Sequence, residues 1–253
     1  MKIGIIYCAY NCANFLSEGI STFIKAKQNG IINNISVVSV PFIEYFDIKS
    51  EEDGTIEILK NLKIDSHIDA LFTEPKFIKE SEARDLCLQY LKSVNCDAIW
   101  MVDGDELYTY DDIGNIIQFI VDNPKNYWYS INFKNYIFDA KQWIDGFCPP
   151  RIFKTNVGLL SIDKFYWDND IVYKDIDNNF FNYKSLESTT IPQNIANIKH
   201  MTWLHTNGRQ KYEYQLAHFG HCGYKWNYEV NKLEINTEFY LKNNLTIPTI
   251  YHE

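Results

Sequence analysis

The stretch Ala98-Ile99-Trp100-Met101-Val102-Asp103-Gly104-Asp105-Glu106 decides how the rest of the chain is read. Five consecutive apolar residues, closed by a polar turn, describe a strand buried on both faces, as in a parallel sheet. Two carboxylates with a glycine between them can turn toward one ion, and without a cation their repulsion raises one pKa. A hard divalent cation such as Mg²⁺ or Mn²⁺ relieves that repulsion and takes oxygen ligands. Few protein ligands are needed when phosphate oxygens complete the shell, and Gly104 leaves the approach to a diphosphate open. The plainer alternative is an exposed acidic turn, with Glu106 facing solvent. An EF-hand is a poor rival, because Leu107 and Tyr108 stand where that loop needs Asp or Asn and then Gly.

Outward from this stretch, strands and helices alternate. Lys2–Tyr7 reads as a buried strand, Asn11–Asn14 as a polar turn and N-cap region, and Leu16, Ile20, Phe23 and Ile24 as a helix face stopped by Gly30. Ile35–Val40 is a second strand ended by Pro41, and Ser50 begins a helix with acidic residues in its first turn. Ile68–Phe72 is a third strand. Ala83, Leu86, Cys87, Tyr90, Leu91 and Val94 then follow helical spacing without a miss. This repetition predicts an α/β fold with a mostly parallel central sheet flanked by helices. In such sheets ligands bind beyond the carboxyl ends of the strands. Ala9-Tyr10-Asn11 and Asp103–Glu106 both lie there, so one site is expected from the two.

The second half is less regular. Tyr127–Phe133 alternates like a strand, and residues 139–195 read as short strands and long loops. Ile198–Trp203 reads as a late strand, and Arg209–Phe219 and Tyr228–Asn243 as helices. Many of the Tyr and Trp residues lie beyond residue 127, suited to core packing or to lining a cleft.

Bulk properties narrow the function classes. The 253 residues fit one α/β domain with a decorated C-terminal part, or at most two small domains. A net charge of -9 gives no general attraction to nucleic acid, which disfavours that partner without removing a local basic groove. Six cysteines without a C-x-x-C pair, no signal-like segment and no transmembrane span predict a reducing, cytoplasmic setting.

Several of these residues resemble a known family. Ile5-Ile6-Tyr7-Cys8-Ala9-Tyr10-Asn11 with Phe15-Leu16, Glu82-Ala83-Arg84-Asp85 on the amphipathic helix, and Asp97–Glu106 resemble the opening strand, helix and D-x-D strand of nucleotide-sugar glycosyltransferases of the GT-A fold, close to the family 2 type. Asp85 stands where Asn is usual. Pro149-Pro150-Arg151-Ile152-Phe153 and His200-Met201-Thr202-Trp203 resemble later elements of some members.

The resemblance implies a single GT-A, Rossmann-like domain over residues 1–253, with a nucleotide-sugar half (1–110) and a loop- and aromatic-rich acceptor half (111–253). It implies that Ala9, Tyr10 and Asn11 hold base and ribose, and that Arg84 orders the donor site. Asp103, with Gly104, would face ribose or metal, and Asp105 would bind the metal. A late histidine would add a ligand, with His200 and His221 as candidates and His218 and His205 behind them. The region Val38–Phe42 lacks the family's acidic turn. No clean pair of acidic residues marks a catalytic base: Asp168 and Asp170 are the candidates, with Asp145 and Glu187 as alternatives.

The expected activity is metal-dependent transfer of a sugar, hexosyl or pentosyl, from a nucleoside diphosphate sugar with UDP favoured. The acceptor would be a glycan, lipid-linked or other hydroxyl, with Trp143, Tyr166 and Trp167 stacking on sugar or acceptor. Rival readings are transfer to modified bases of DNA, a nucleotidyltransferase, or a non-catalytic nucleotide or carbohydrate binder.

Overall fold

The computed structural model describes residues 1–40, 53–74, 80–137, 141–155, 159–166, 168–174, 180–182, 184, 186–201, 204, 209, 212–213, 216, 223–230 and 232–252. Of the strands among residues 159–182, only the backbone is described.

A seven-stranded sheet forms the centre. Its first four strands are β1 (Ile3–Cys8), β2 (Asn34–Val38), β3 (Ala70–Phe72) and β4 (Ala98–Asp103), parallel and ordered β3-β2-β1-β4. Beyond β4 come β9 (Pro150–Lys154), β6 (Trp128–Ile131) and β13 (Ser188–Ile191). Only β9 runs antiparallel to its neighbours. This is the mostly parallel α/β sheet that the sequence predicts.

Side-chain alternation explains the two helical layers. Ile3, Ile5, Tyr7, Trp100 and Val102 point into one core with α1 (Ala13–Gln28), α2 (Thr55–Ile64) and α4 (Tyr110–Asp122). Ile6, Ile99 and Met101 point into the other, with Ala83, Cys87, Leu88 and Leu91 of α3 (Glu80–Ser93). Gly4 sets how closely α3 approaches, since a Cβ there would lie 2.7 Å from Leu91 Cδ2. The helices change face between the β2 and β4 sides of β1, so the topological switch point, where such sheets bind ligands, lies between β1 and β4.

A second, five-stranded sheet is ordered β17-β8-β7-β14-β5. It consists of β5 (Glu106–Leu107), β7 (Phe133–Tyr136), β8 (Gln142–Phe147), β14 (Ile198–His200) and β17 (Tyr251–His252). A separate antiparallel sheet contains β10 (Leu159–Tyr166), β11 (Asp168–Lys174) and β12 (Phe180–Asn182), with β10 lying against α3.

Three expectations need correction. Tyr228–Asn243 is not one helix. β15 (Tyr224–Asn227) and β16 (Lys232–Ile235) form a hairpin there, followed by the short helix α5 (Thr237–Lys242). The Asn227 side chain accepts from the backbone N–H of Glu229 and Val230, starting a turn, and Asn236 caps α5 by accepting from Phe239. The helix expected from Ser50 begins at Thr55, with residues 41–52 outside the described set. The strand expected over Ile198–Trp203 ends at His200, before Met201, with residues 202 and 203 outside the described set.

One helix had no sequence expectation. α4 is started by a capping box in which Thr109 and Asp112 bond reciprocally, and it buries Ile113, Ile116 and Ile120. Of Arg209–Phe219, the described residues Arg209, Tyr212, Glu213 and Leu216 are helical.

Candidate functional site

The two motifs at the switch point touch. Cys8 and Asp103 are register partners on β1 and β4, and the Gly104 N–H donates to the Cys8 carbonyl at 2.7 Å. A Cβ on Gly104 would lie 2.6 Å from Cys12 Sγ and 3.3 Å from the Ala9 Cα. The glycine is thus required by contact with the β1 loop. In that loop Ala9 is buried, its N–H donating to Val38, while Tyr10 is half-buried. Asn11 is buried with φ 49°, a left-handed conformation that costs most side chains energy and Asn least. Such local strain clusters at ligand sites.

The acidic turn divides by surroundings. Asp103, with its side chain 26% exposed, holds Arg84 on one carboxylate oxygen and Arg151 on the other, the latter at 2.9 Å. Burial alone would raise its pKa, but Arg84 and Arg151 outweigh that and hold it below the ordinary carboxylate range. Glu106 does not face solvent, as it would in the plainer alternative. It is fully buried, paired with Arg151, and accepts from the Tyr108 hydroxyl at 2.8 Å. Burial pushes its carboxyl up to about 8; Arg151 opposes this, while Asp103 and Asp105 reinforce it.

Arg151 comes from a motif noted in the sequence without an assigned role. It sits on β9 where the ladder to β6 slips between Tyr129↔Ile152 and Ser130↔Pro150, so the extra residue is Arg151. A bulge re-aims a side chain, here toward Asp103 and Glu106. The same irregularity accommodates Pro150 in an interior strand.

Asp105 is buried and looks toward His200, with Oδ1 and Nε2 3.9 Å apart. The second sheet makes this meeting. Its β5 is the continuation of the acidic turn, β14 pairs His200 opposite Glu106, and the Met201 N–H donates to the Asp105 carbonyl at 2.8 Å. With metal–ligand bonds of about 2.1 Å, two ligand atoms of one ion lie at most about 4.2 Å apart. Asp105 and His200 therefore fit a shared divalent cation, and the mixed oxygen and imidazole set suits Mn²⁺ better than Mg²⁺. Among the described residues no cluster of three His, Cys, Asp or Glu side chains forms a complete cage. The remaining positions would fall to water and to a ligand's oxygens.

A further feature restricts how anions can bind. The Asp53 carboxylate accepts from the Ala13 N–H at 2.9 Å, and Thr55 Oγ1 accepts from the Cys12 N–H at 3.0 Å. The amino end of α1, where dinucleotide-binding folds seat a phosphate, is already occupied by a carboxylate.

Other sequence candidates fall elsewhere. Asp168 and Asp170 lie on β11 of the separate sheet, and their side chains are outside the described set. Asp145 and Glu187 are exposed. His205, His218, His221 and Trp167 lie outside the described residues, as does the side chain of Tyr166. Trp143 is stacked by Tyr251 at 5.7 Å between ring centres and carries Lys134 Nζ 4.0 Å from its ring centre, so its ring is already engaged by the protein.

No family model matches the chain, and no curated protein matches it. Among solved structures it is similar to S. aureus TarS. For TarS 1–349 the identity is 14% and the TM-score 0.48, covering 86% of this chain and 64% of that one. For TarS 1–349 in complex with UDP-GlcNAc they are 16% and 0.42, covering 62% and 46%. It is also similar to a putative glucose-1-phosphate thymidylyltransferase from Bacillus anthracis in complex with a sucrose, at 14% identity and TM-score 0.35, covering 53% and 55%. The chain thus spans less than two thirds of the length of each of these structures.

Proposed function

We propose that this chain is a glycosyltransferase that uses a divalent metal, Mn²⁺ before Mg²⁺, to move a sugar from a nucleoside diphosphate sugar to an acceptor hydroxyl. One observation carries the reading: Asp105 and His200 face each other across 3.9 Å at the switch point of a mostly parallel sheet, beside the strained β1 loop. The carboxylate at the start of α1 supports it further, since a diphosphate excluded from that helix end needs another counter-charge.

When bound, the cation would neutralise the developing charge on the diphosphate leaving group. The chain's own residues would do the rest. Ala9, Tyr10 and Asn11 would border base and ribose. Asp103, held rigid by Arg84 and Arg151, would accept a ribose hydroxyl with its exposed portion. Asp105 and His200 would hold the metal, and Asp168 or Asp170 would deprotonate the acceptor. UDP is the favoured nucleotide, and a glycan or lipid-linked hydroxyl the favoured acceptor. Cys8, Cys12, Cys87, Cys96 and Cys148 form no disulfide, which suits a reducing cytoplasm. No helix among the described residues is long and apolar enough to cross a membrane.

The test is a thermal-shift panel of UDP-, GDP- and CDP-sugars with and without Mn²⁺, followed by assay of free nucleotide release. The expected result is stabilisation by a UDP-sugar that requires Mn²⁺, with slow release of UDP. Stabilisation by sugars alone, with no nucleotide dependence, would favour a carbohydrate binder instead.

A further inference from the structure

His200 is held more firmly than a surface histidine would be. Its ring lies against Phe133, with centres 5.6 Å apart and planes tilted by 33°. Its Nδ1 lies 3.0 Å from the side-chain oxygen of Asn135. Asn135 is its register partner on the neighbouring parallel strand β7. An amide oxygen only accepts, so in this bond Nδ1 must carry the proton. In the neutral ring Nε2 then keeps its lone pair, and Nε2 is the atom that faces Asp105.

The β7–β8 ladder slips between Phe133↔Phe147 and Asn135↔Ile144, the extra residue lying on β8, where Gly146 takes φ 103°. The irregularity falls between the two β7 residues that grip the imidazole.

We infer that Asn135 is the positioning residue that fixes His200 in its Nδ1–H tautomer, leaving Nε2 as the metal-binding atom beside Asp105. This rests on the proposed metal reading of the site. Histidine ligands to metals commonly donate their other N–H to such a partner, and losing it costs about 10–100-fold in metal affinity.

The experiment compares wild type, Asn135→Ala and Asn135→Asp. The His200 tautomer is read from the ¹⁵N NMR signals of the metal-free protein, and Mn²⁺ binding in the presence of UDP by electron paramagnetic resonance. Asn135→Ala should lose the Nδ1–H signature and bind Mn²⁺ about 10–100-fold more weakly. Asn135→Asp, which keeps an acceptor, should retain both. An alanine variant with the wild-type tautomer and affinity overturns the inference. If the alanine variant does not fold, loss of the Nδ1–H signature in a folded Asn135→Asp overturns it equally. If wild type binds no Mn²⁺ while the Nδ1–H signature is present, the metal reading falls, and the inference falls with it.

Discussion

Two residues apart, Asp103 and Asp105 meet opposite surroundings. Asp103 is the counter-ion of two nearly buried guanidinium groups, so Asp103→Asn takes this carboxylate from both and leaves Arg151 with Glu106 alone. We expect it to lower unfolding free energy by about 1–3 kcal/mol in urea titrations, and Asp105→Asn to cost less. Glu106 titrates against the trend of an ordinary carboxylate. Its folded pKa, about 8, lies above the unfolded value near 4.5, so its contribution to stability is full below that lower value and is lost as pH rises through about 8. Urea midpoints of wild type should therefore carry a falling component across that window which Glu106→Gln removes; parallel profiles for the two proteins would contradict this. The acidic cluster was legible in the sequence, whereas Arg84 was placed near the donor only through the family resemblance, and its pairing with Asp103 had no sequence signal. The roles of Arg151 and Asn135 were not legible: Arg151 is aimed by a ladder irregularity that no local pattern marks, and Asn135 meets His200 only through the long-range pairing of β7 with β14.

Among the elements, legibility followed periodicity. The helix with an unbroken apolar face, α3, was plain, and so were the four apolar strands of the parallel half. α4 carries the same signal in Ile113, Ile116 and Ile120, with a capping box in front. Thr109→Ala removes that box and should cost about 1 kcal/mol, lowering Tm by about 2–4 °C. The β15–β16 hairpin replaces the helix the sequence predicts because Leu233 and Ile235 sit in a run too short to separate a period of two from a helical one. On β8, Gly146 holds a positive φ with open space around it, so Gly146→Ala tests backbone strain alone. It should destabilise by about 1 kcal/mol or more, measured by denaturant unfolding.

At the scale of the molecule, two sheets meet at one turn. β4 ends the parallel run at Asp103, and three residues later the chain has entered the second sheet as β5. That continuity lets His200, far along the sequence, pair beside Glu106 and face Asp105. The strand alternation made the α/β class and the sheet edge readable, but the crossing of the chain into a second sheet is a long-range pairing that leaves little local trace. In the proposed function Asp105, with His200, holds a metal on which turnover of a nucleotide sugar depends. The most direct test is Mn²⁺-dependent release of UDP from UDP-sugars by wild type and by Asp105→Ala. The variant should stay folded, with a cooperative unfolding transition, and lose the metal-dependent release at least about a hundredfold, the scale of a lost electrostatic contact in catalysis. Full metal-dependent activity in a folded Asp105→Ala protein would contradict the proposal.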